Sequence, residues 1–242
     1  MPVGWAVKQN EQRILHAMQL ATPGDIVLTP EGSLSGYPTD GDVDQLTRID
    51  PGEVASASER LEAVARRANV ALWVGVVSRS DGRWVNEAIE LSPIARRCYR
   101  KRNLAHQERP LFQPGVELPV FEWAGAHIGV QLCRELRFPE QWSALGLGGA
   151  DVFLHLNNGS ADRATFGIWR SMLVARAHET QRWLVSANIA DPHQHAPTAV
   201  VAPTGVIEVE LPPGEEKAVR IELDLSRIRG DYLSQRAGLP SP

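Results

Sequence analysis

Short apolar runs that stop at glycine, proline or a charged residue alternate with segments of helical spacing along this chain, and that alternation restricts the possible folds more than any other feature. Residues 9–20 place Ile14, Leu15 and Met18 on one side of an amphipathic helix, and DIVLTP at 25–30 reads as a buried strand stopped by Pro30. Residues 53–68 have helical spacing through Val54, Leu61, Val64, Ala65 and Ala68. ALWVGVVSR, WVNEAIEL and IARRCYR then read as consecutive strands that turn at Asp81-Gly82 and Ser92-Pro93. HIGVQL at 127–132 is a further strand, and 138–147 a helix ended by Gly148-Gly149. DVFLHL, a helix over 166–181, and strands in WLVSANI, TAVVAP, GVIEVEL and KAVRIEL complete the series. The pattern predicts an α/β layered fold with much antiparallel character.

No repeat or domain-sized linker interrupts these 242 residues, and Pro212-Pro213-Gly214 is a break on the scale of a hairpin, so one domain over 1–242 is expected. The 25 lysines and arginines against 29 acidic residues leave a net charge of -4, which speaks against a nucleic-acid partner. Cys98 and Cys133 are too few for a disulfide framework and fit a reducing compartment. MPVGWAVKQNEQRIL lacks the cationic start and apolar core of a signal peptide, and no apolar run has the length to cross a bilayer. The expectation is a cytoplasmic protein without a membrane partner.

Three runs place a reactive side chain directly after an apolar strand: Pro30-Glu31-Gly32, Arg100-Lys101-Arg102 and Leu132-Cys133-Arg134. Strand ends are where α/β enzymes build their sites. A thiol with a pKa of about 8.5 is mostly protonated at neutral pH, so a nucleophilic Cys133 needs a base or a cation nearby. Glu31 and Lys101 supply one each. Amide hydrolysis through a thioester follows, with Lys101 and the backbone N–H of Arg134, at a helix start, meeting the oxyanion. This chemistry requires no metal or cofactor.

LTPEGSLSGYP, YRKRNLAHQERPLFQPG and GVQLCRELRFPE resemble, in order and spacing, the glutamate, lysine and cysteine motifs of the nitrilase (carbon-nitrogen hydrolase) superfamily, and ARAHETQRWLVSAN is similar to its RA-x-E segment. The resemblance covers residues 9–225. It implies Glu31 as general base and later acid, Lys101 as oxyanion stabiliser, Cys133 as nucleophile and Glu108 as the second glutamate that holds lysine and substrate. It implies a four-layer α-β-β-α sandwich, a homodimer or higher homo-oligomer, and a small-molecule amide substrate. Arg137 matches an arginine that grips a substrate carboxylate in carbamoyl amino-acid hydrolases of the family, although a salt bridge to Glu135 or Glu140 would serve as well. Arg134-Glu135 after the cysteine fits amidase-like branches better than nitrile hydrolases. Family members also begin with an apolar strand that is shortened or missing here, with PVGWAV in its place. A lost strand inside a sheet leaves backbone groups unpaired at roughly 1–3 kcal/mol each. A catalytically impaired member acting as a binding or assembly protein is the alternative from another class.

Other clusters carry less. Of Arg96, Arg97, Arg100, Lys101 and Arg102, four read as a solvated strand face and loop rather than an anion patch. Cys98 reads as structural. Asp191, His193 and His195 in one loop read as a polar turn before a metal site.

Overall fold

The computed structural model describes residues 1–38, 41–159 and 163–235. Helix α1 (Val7–Met18) turns Val7, Ile14 and Met18 inward, at the spacing expected of a helix with one apolar side. Helix α2 (Pro51–Ala68) starts where the Asp50 carboxylate accepts the N–H groups of Gly52 and Glu53, has Pro51 in its first turn, and ends at Asn69 in the left-handed region. Both cover one face of a sheet ordered β1 (Ile26–Leu28), β2 (Ala71–Ser80), β3 (Arg83–Leu91) and β4 (Arg96–Arg100), with Ile14, Leu61 and Ala65 against Leu72, Val74 and Val76. β1 runs parallel to β2, and the remaining pairs are antiparallel.

The opposite face of this sheet, through Ala71, Trp73, Ala88 and Tyr99, packs on a second sheet by way of Val130, Leu132, Val152 and Leu154. That sheet is ordered β10 (Ile207–Glu210), β9 (Ala199–Val201), β8 (Trp183–Ala187), β7 (Val152–Leu156), β6 (Ala126–Leu132) and β5 (Val120–Trp123). β6, β7 and β8 are parallel, with Leu132 opposite Leu156 and Leu156 opposite Ala187. Helices α3 (Pro139–Leu147) and α4 (Phe166–Thr180) close its outer face with Trp142, Leu145, Trp169 and Leu173 on Phe153 and Leu184. Helix, sheet, sheet and helix make the expected α-β-β-α sandwich, and the strands covered on both faces, such as β7, are buried along their whole length. Among the described residues no helix is long and apolar enough to cross a membrane.

Two expectations change. KAVRIEL forms no ladder: residues 217–223 are outside both sheets, although Ile221 and Leu223 lean on the inter-sheet core and Arg220 is tied to Asp25 at 2.7 Å. PVGWAV is not a strand either, which leaves β1 at the edge of its sheet. The same cause explains both, because a strand exists only where a neighbour takes its backbone hydrogen bonds. Between the β1 edge and residues 215–223 lies a cleft of about 970 Å³. Residues 26–28 remain half-buried rather than sealed, so water reaches this edge and the cost expected of a strand lost inside a sheet is reduced. Conversely, β5 forms from four residues too short to stand out by alternation.

Candidate active site

The strand ends converge. Glu31 follows β1 in a loop pressed so closely on β2 that a Cβ at Gly75 would sit 2.4 Å from Pro30 O and Gly32 N, which leaves glycine the residue that fits. The Glu31 N–H donates to Asn157 O at 3.3 Å and Asn158 Nδ2 donates to Glu31 O at 3.0 Å, fastening the loop to the end of β7. Lys101 leaves β4 and points inward, where its Nζ lies 2.8 Å from Glu31 Oε1 and 2.8 Å from Glu108 Oε1. All three side chains are buried, with Lys101 1% exposed. Glu108 is therefore not an exposed loop charge beside Arg109: it also accepts the Tyr37 hydroxyl and the Ala105 N–H. Asn86 Nδ2 donates to Glu31 at 2.7 Å and to Glu108 at 3.2 Å, and Glu31 Oε2 has no partner among the described residues.

Burial raises the Glu31 pKa above its ordinary 4.5, with Lys101 opposing. Burial also works against Glu108, but Lys101 and Tyr37 hold it below that value. Burial alone would push Lys101 down, yet Glu108 and Glu31 together raise it, so it is an ammonium throughout the physiological range.

Cys133 sits at the turn from β6 into a 3-10 helix (Cys133–Arg137), with φ at 43°. A non-glycine residue there is strained, and the strain turns the thiol out of the strand direction. Burial, followed by Glu31, raises the thiol pKa, while Lys101 and the Asn158 backbone N–H that meets the sulfur oppose the rise. The resting site is thus a thiol, a carboxylate with one free oxygen and an ammonium. Arg134 is the second residue of the turn, where the first N–H groups have no partner within a helix.

Two buried groups outside the three motifs' reactive positions hold this elbow. Glu135 accepts the N–H of Leu132 at 2.8 Å, of Arg102 at 2.9 Å and of Asn103 at 3.0 Å, together with the Tyr99 hydroxyl. One carboxylate thereby ties the residue before the thiol to the two residues after Lys101. His155, which burial keeps neutral with a pKa of about 4, donates from Nε2 to the Cys133 carbonyl at 3.0 Å and takes Ser186 Oγ at Nδ1. The sequence signals were a histidine inside the apolar run DVFLHL and an asparagine inside WVNEAIEL. Replacing Glu135 by glutamine puts an amide N–H against these donors and is expected to lower stability by about 1–3 kcal/mol in urea unfolding. Unchanged stability would show that the tie carries no weight.

Arg137 takes neither salt bridge expected of it: its guanidinium stands 5.1 Å from the Trp169 ring centroid. In the 191–195 loop Asp191 accepts the His193 N–H at 2.7 Å, a polar turn, while the His195 ring turns inward. No group of three potential metal ligands occurs among the described residues. Cys98 is exposed on β4 rather than built into the core. Of the five clustered cations, Arg97 pairs with Glu90, Arg100 with Glu87 and Arg96 with Glu62, and Lys101 alone enters the site.

A carbon-nitrogen hydrolase family model matches residues 1–231. The chain belongs to the carbon-nitrogen hydrolase family. This carbon-nitrogen hydrolase is 30% identical over 241 residues to an (R)-stereoselective amidase of Pseudomonas sp, covering 94% of the chain and 85% of the relative. It is 31% identical over 199 residues to a glutamine-dependent NAD(+) synthetase of Xylella fastidiosa, covering 78% of the chain but 35% of that longer protein. The solved NitN amidase of Nesterenkonia sp. AN1 shares its fold with a TM-score of 0.79 at 23% identity, covering 98% of this chain and 93% of that one. The protein is an enzyme of the amidase-like branch of the nitrilase superfamily.

Proposed function

We propose that this carbon-nitrogen hydrolase converts a small linear amide or N-carbamoyl compound to the acid and ammonia through a thioester at Cys133. The observation that carries the reading is the buried Glu31–Lys101–Glu108 cluster, whose one unpartnered carboxylate oxygen belongs to the group that acts electrostatically on the strained Cys133. Glu31 takes the thiol proton as sulfur attacks the carbonyl carbon. Lys101 and the Arg134 N–H meet the oxyanion, and Glu108 keeps Lys101 in place. Glu31 then returns the proton to the leaving nitrogen, and ammonia departs as the carbon–nitrogen bond breaks. Water, deprotonated by the same carboxylate, attacks the thioester, releases the acid and restores the thiol. Arg137 would bind a carboxylate on the substrate. The homodimer belongs to the same reading and would cover α4, where Ile168 is 58% exposed beside Gly167 and Ser171.

The test is ammonia release from alkyl amides, ω-amides, carbamoyl amino acids and nitriles, followed by acid quench and mass spectrometry of the Cys133 peptide. An acyl mass on that peptide during turnover is expected. Because Glu31 must be ionised and burial raises its pKa, kcat/KM should fall with decreasing pH along a limb centred above 4.5. Silence across the panel, or turnover with no acyl group on Cys133, overturns the reading; turnover of nitriles alone moves it to the nitrile branch.

A further inference from the structure

One buried titratable group takes no part in the proton transfers of amide hydrolysis. His155 lies on β7, wholly buried in a run whose other four residues are apolar, with its ring centroid 5.9 Å from that of Trp142. An apolar side chain would fill this place at no desolvation cost, so what sets the imidazole apart there is its hydrogen bonds. Nε2 lies 3.0 Å from the Cys133 carbonyl oxygen, and Nδ1 lies 2.9 Å from Oγ of Ser186, which stands opposite His155 in the β7–β8 register. A carbonyl accepts and never donates, so Nε2 carries the hydrogen. In the neutral ring Nδ1 is then an acceptor, and the Ser186 hydroxyl is its donor. Burial keeps the ring neutral, with a pKa of about 4, so one tautomer serves across the physiological range.

The bond reaches the oxyanion through a peptide unit. β6 and β7 are paired as far as Leu132 and Leu156, so the Cys133 carbonyl stands past the ladder and takes His155 in place of a strand partner. At a φ of 43° Cys133 holds a sparsely populated conformation, which persists only where the surroundings fix it. The unit that follows, from Cys133 C=O to Arg134 N–H, is planar and trans, so the two groups point in opposite directions from one rigid plane. Fixing the carbonyl therefore fixes the Arg134 N–H. A donor on the carbonyl also polarises that N–H, which makes it the stronger donor in turn.

We propose that His155 is a positioning residue for the oxyanion: its donation to the Cys133 carbonyl sets the plane of the Cys133–Arg134 peptide and aims the Arg134 N–H at the oxygen that becomes negative as the thiol attacks. Ser186 supports it by holding the ring in the tautomer that donates from Nε2. The role rests on the amide-hydrolase reading, in which the Arg134 N–H meets the oxyanion.

The test compares wild type and His155→Leu in kcat and KM for an amide of the panel and in the rate at which methyl methanethiosulfonate modifies Cys133. That reagent has no carbonyl, so its reaction with the thiol builds no oxyanion. It is followed by mass spectrometry on the Cys133 peptide, because Cys98 is exposed as well. His155→Leu should lower kcat by about tenfold to a hundredfold, part of the cost of deleting one oxyanion donor, with KM within about twofold, because the interaction matures only in the transition state. Thiosulfonate modification should stay within about threefold of the wild type. His155→Gln, whose amide nitrogen reaches the position of Nε2, should recover most of the lost kcat, whereas His155→Asn, whose amide reaches only that of Nδ1, should not. An equal fall in kcat and in the thiosulfonate rate would mean an elbow disturbed as a whole and overturns the role. So does an unchanged kcat in His155→Leu, a change confined to KM, or the same kcat in the glutamine and asparagine proteins; that last pair decides if His155→Leu does not fold. A wild type that turns over amides while the variants keep its kcat removes His155 and leaves the amide-hydrolase reading standing; a wild type silent across the panel removes both.

Discussion

The Cys133→Ala protein is expected to fold and to release ammonia from no amide at a rate above roughly one ten-thousandth of the wild type, since the proposed mechanism makes Cys133 the nucleophile and its removal would leave the binding and electrostatic contributions alone. The fold should survive because the loss is a single sulfur atom at a half-buried turn. The φ of 43° at this position is no easier for alanine than for cysteine, so strain is neither added nor relieved. A cost of about 1 kcal/mol is appropriate for that volume. Ammonia release and a thermal melt, run side by side, check both parts. Equal activity in wild type and variant would remove Cys133 from the mechanism, whereas lost activity with an unfolded protein would say nothing of the thiol, and Cys133→Ser, nearer in size, then provides the second comparison.

Replacing Lys101 by methionine should have the largest combined effect on activity and stability. The methionine fills much of the space but removes the cation that, in the proposed mechanism, faces the oxyanion, a contribution of about 10²–10³ in kcat. It also leaves Glu31 and Glu108, both buried, without the ammonium 2.8 Å from each. Breaking a buried ion cluster by deleting one partner costs about 3–5 kcal/mol. The sign with pH follows from linkage. In the wild type Glu108 is held below its ordinary pKa, so its contribution is present at neutral pH and is lost as pH falls through that lowered value. Without Lys101 both carboxyls are raised by burial, and a group with a raised folded pKa loses stability as pH rises. Urea unfolding should therefore show a large deficit near neutral pH that narrows toward pH 5. Adding Glu108→Gln to Lys101→Met should recover part of the stability and none of the activity. A deficit that is the same at both pH values would mean that the two carboxylates are not what the lysine stabilises.

Much of the site was legible in the chain. Glu31, Lys101 and Cys133 each stand one step past an apolar strand, and the structure brings Glu31 and Lys101 to 2.8 Å, with the Cys133 thiol under the influence of both. Glu108 was legible through the motif spacing alone, since a glutamate beside an arginine in a polar loop has no local mark of burial. Tyr37, Asn86, Glu135 and His155 were less visible. Each makes its decisive hydrogen bond across the sheets or between loops, as Tyr99 does to Glu135 over 36 positions and Asn158 to Glu31 over 127. Arg137 read equally well as a salt-bridge partner of Glu135, and that alternative failed because Glu135 is already filled by three backbone N–H groups and Tyr99.

By itself the sequence determined the order and type of the principal elements, the α/β layered class and the standing of Glu31, Lys101 and Cys133 one step past strand ends, because periodicity, capping and turn chemistry act within a few residues of the chain. Helix α2 needed no more than Asp50, Pro51 and its apolar stripe. Only the tertiary structure decided that 217–223 joins no sheet, that β1 is an edge, that β5 forms from four residues, and that the His195 ring faces inward over Gly159. A strand is made by its neighbour and a buried polar group by its partner, and those partners lie tens of positions away, where no local pattern reaches.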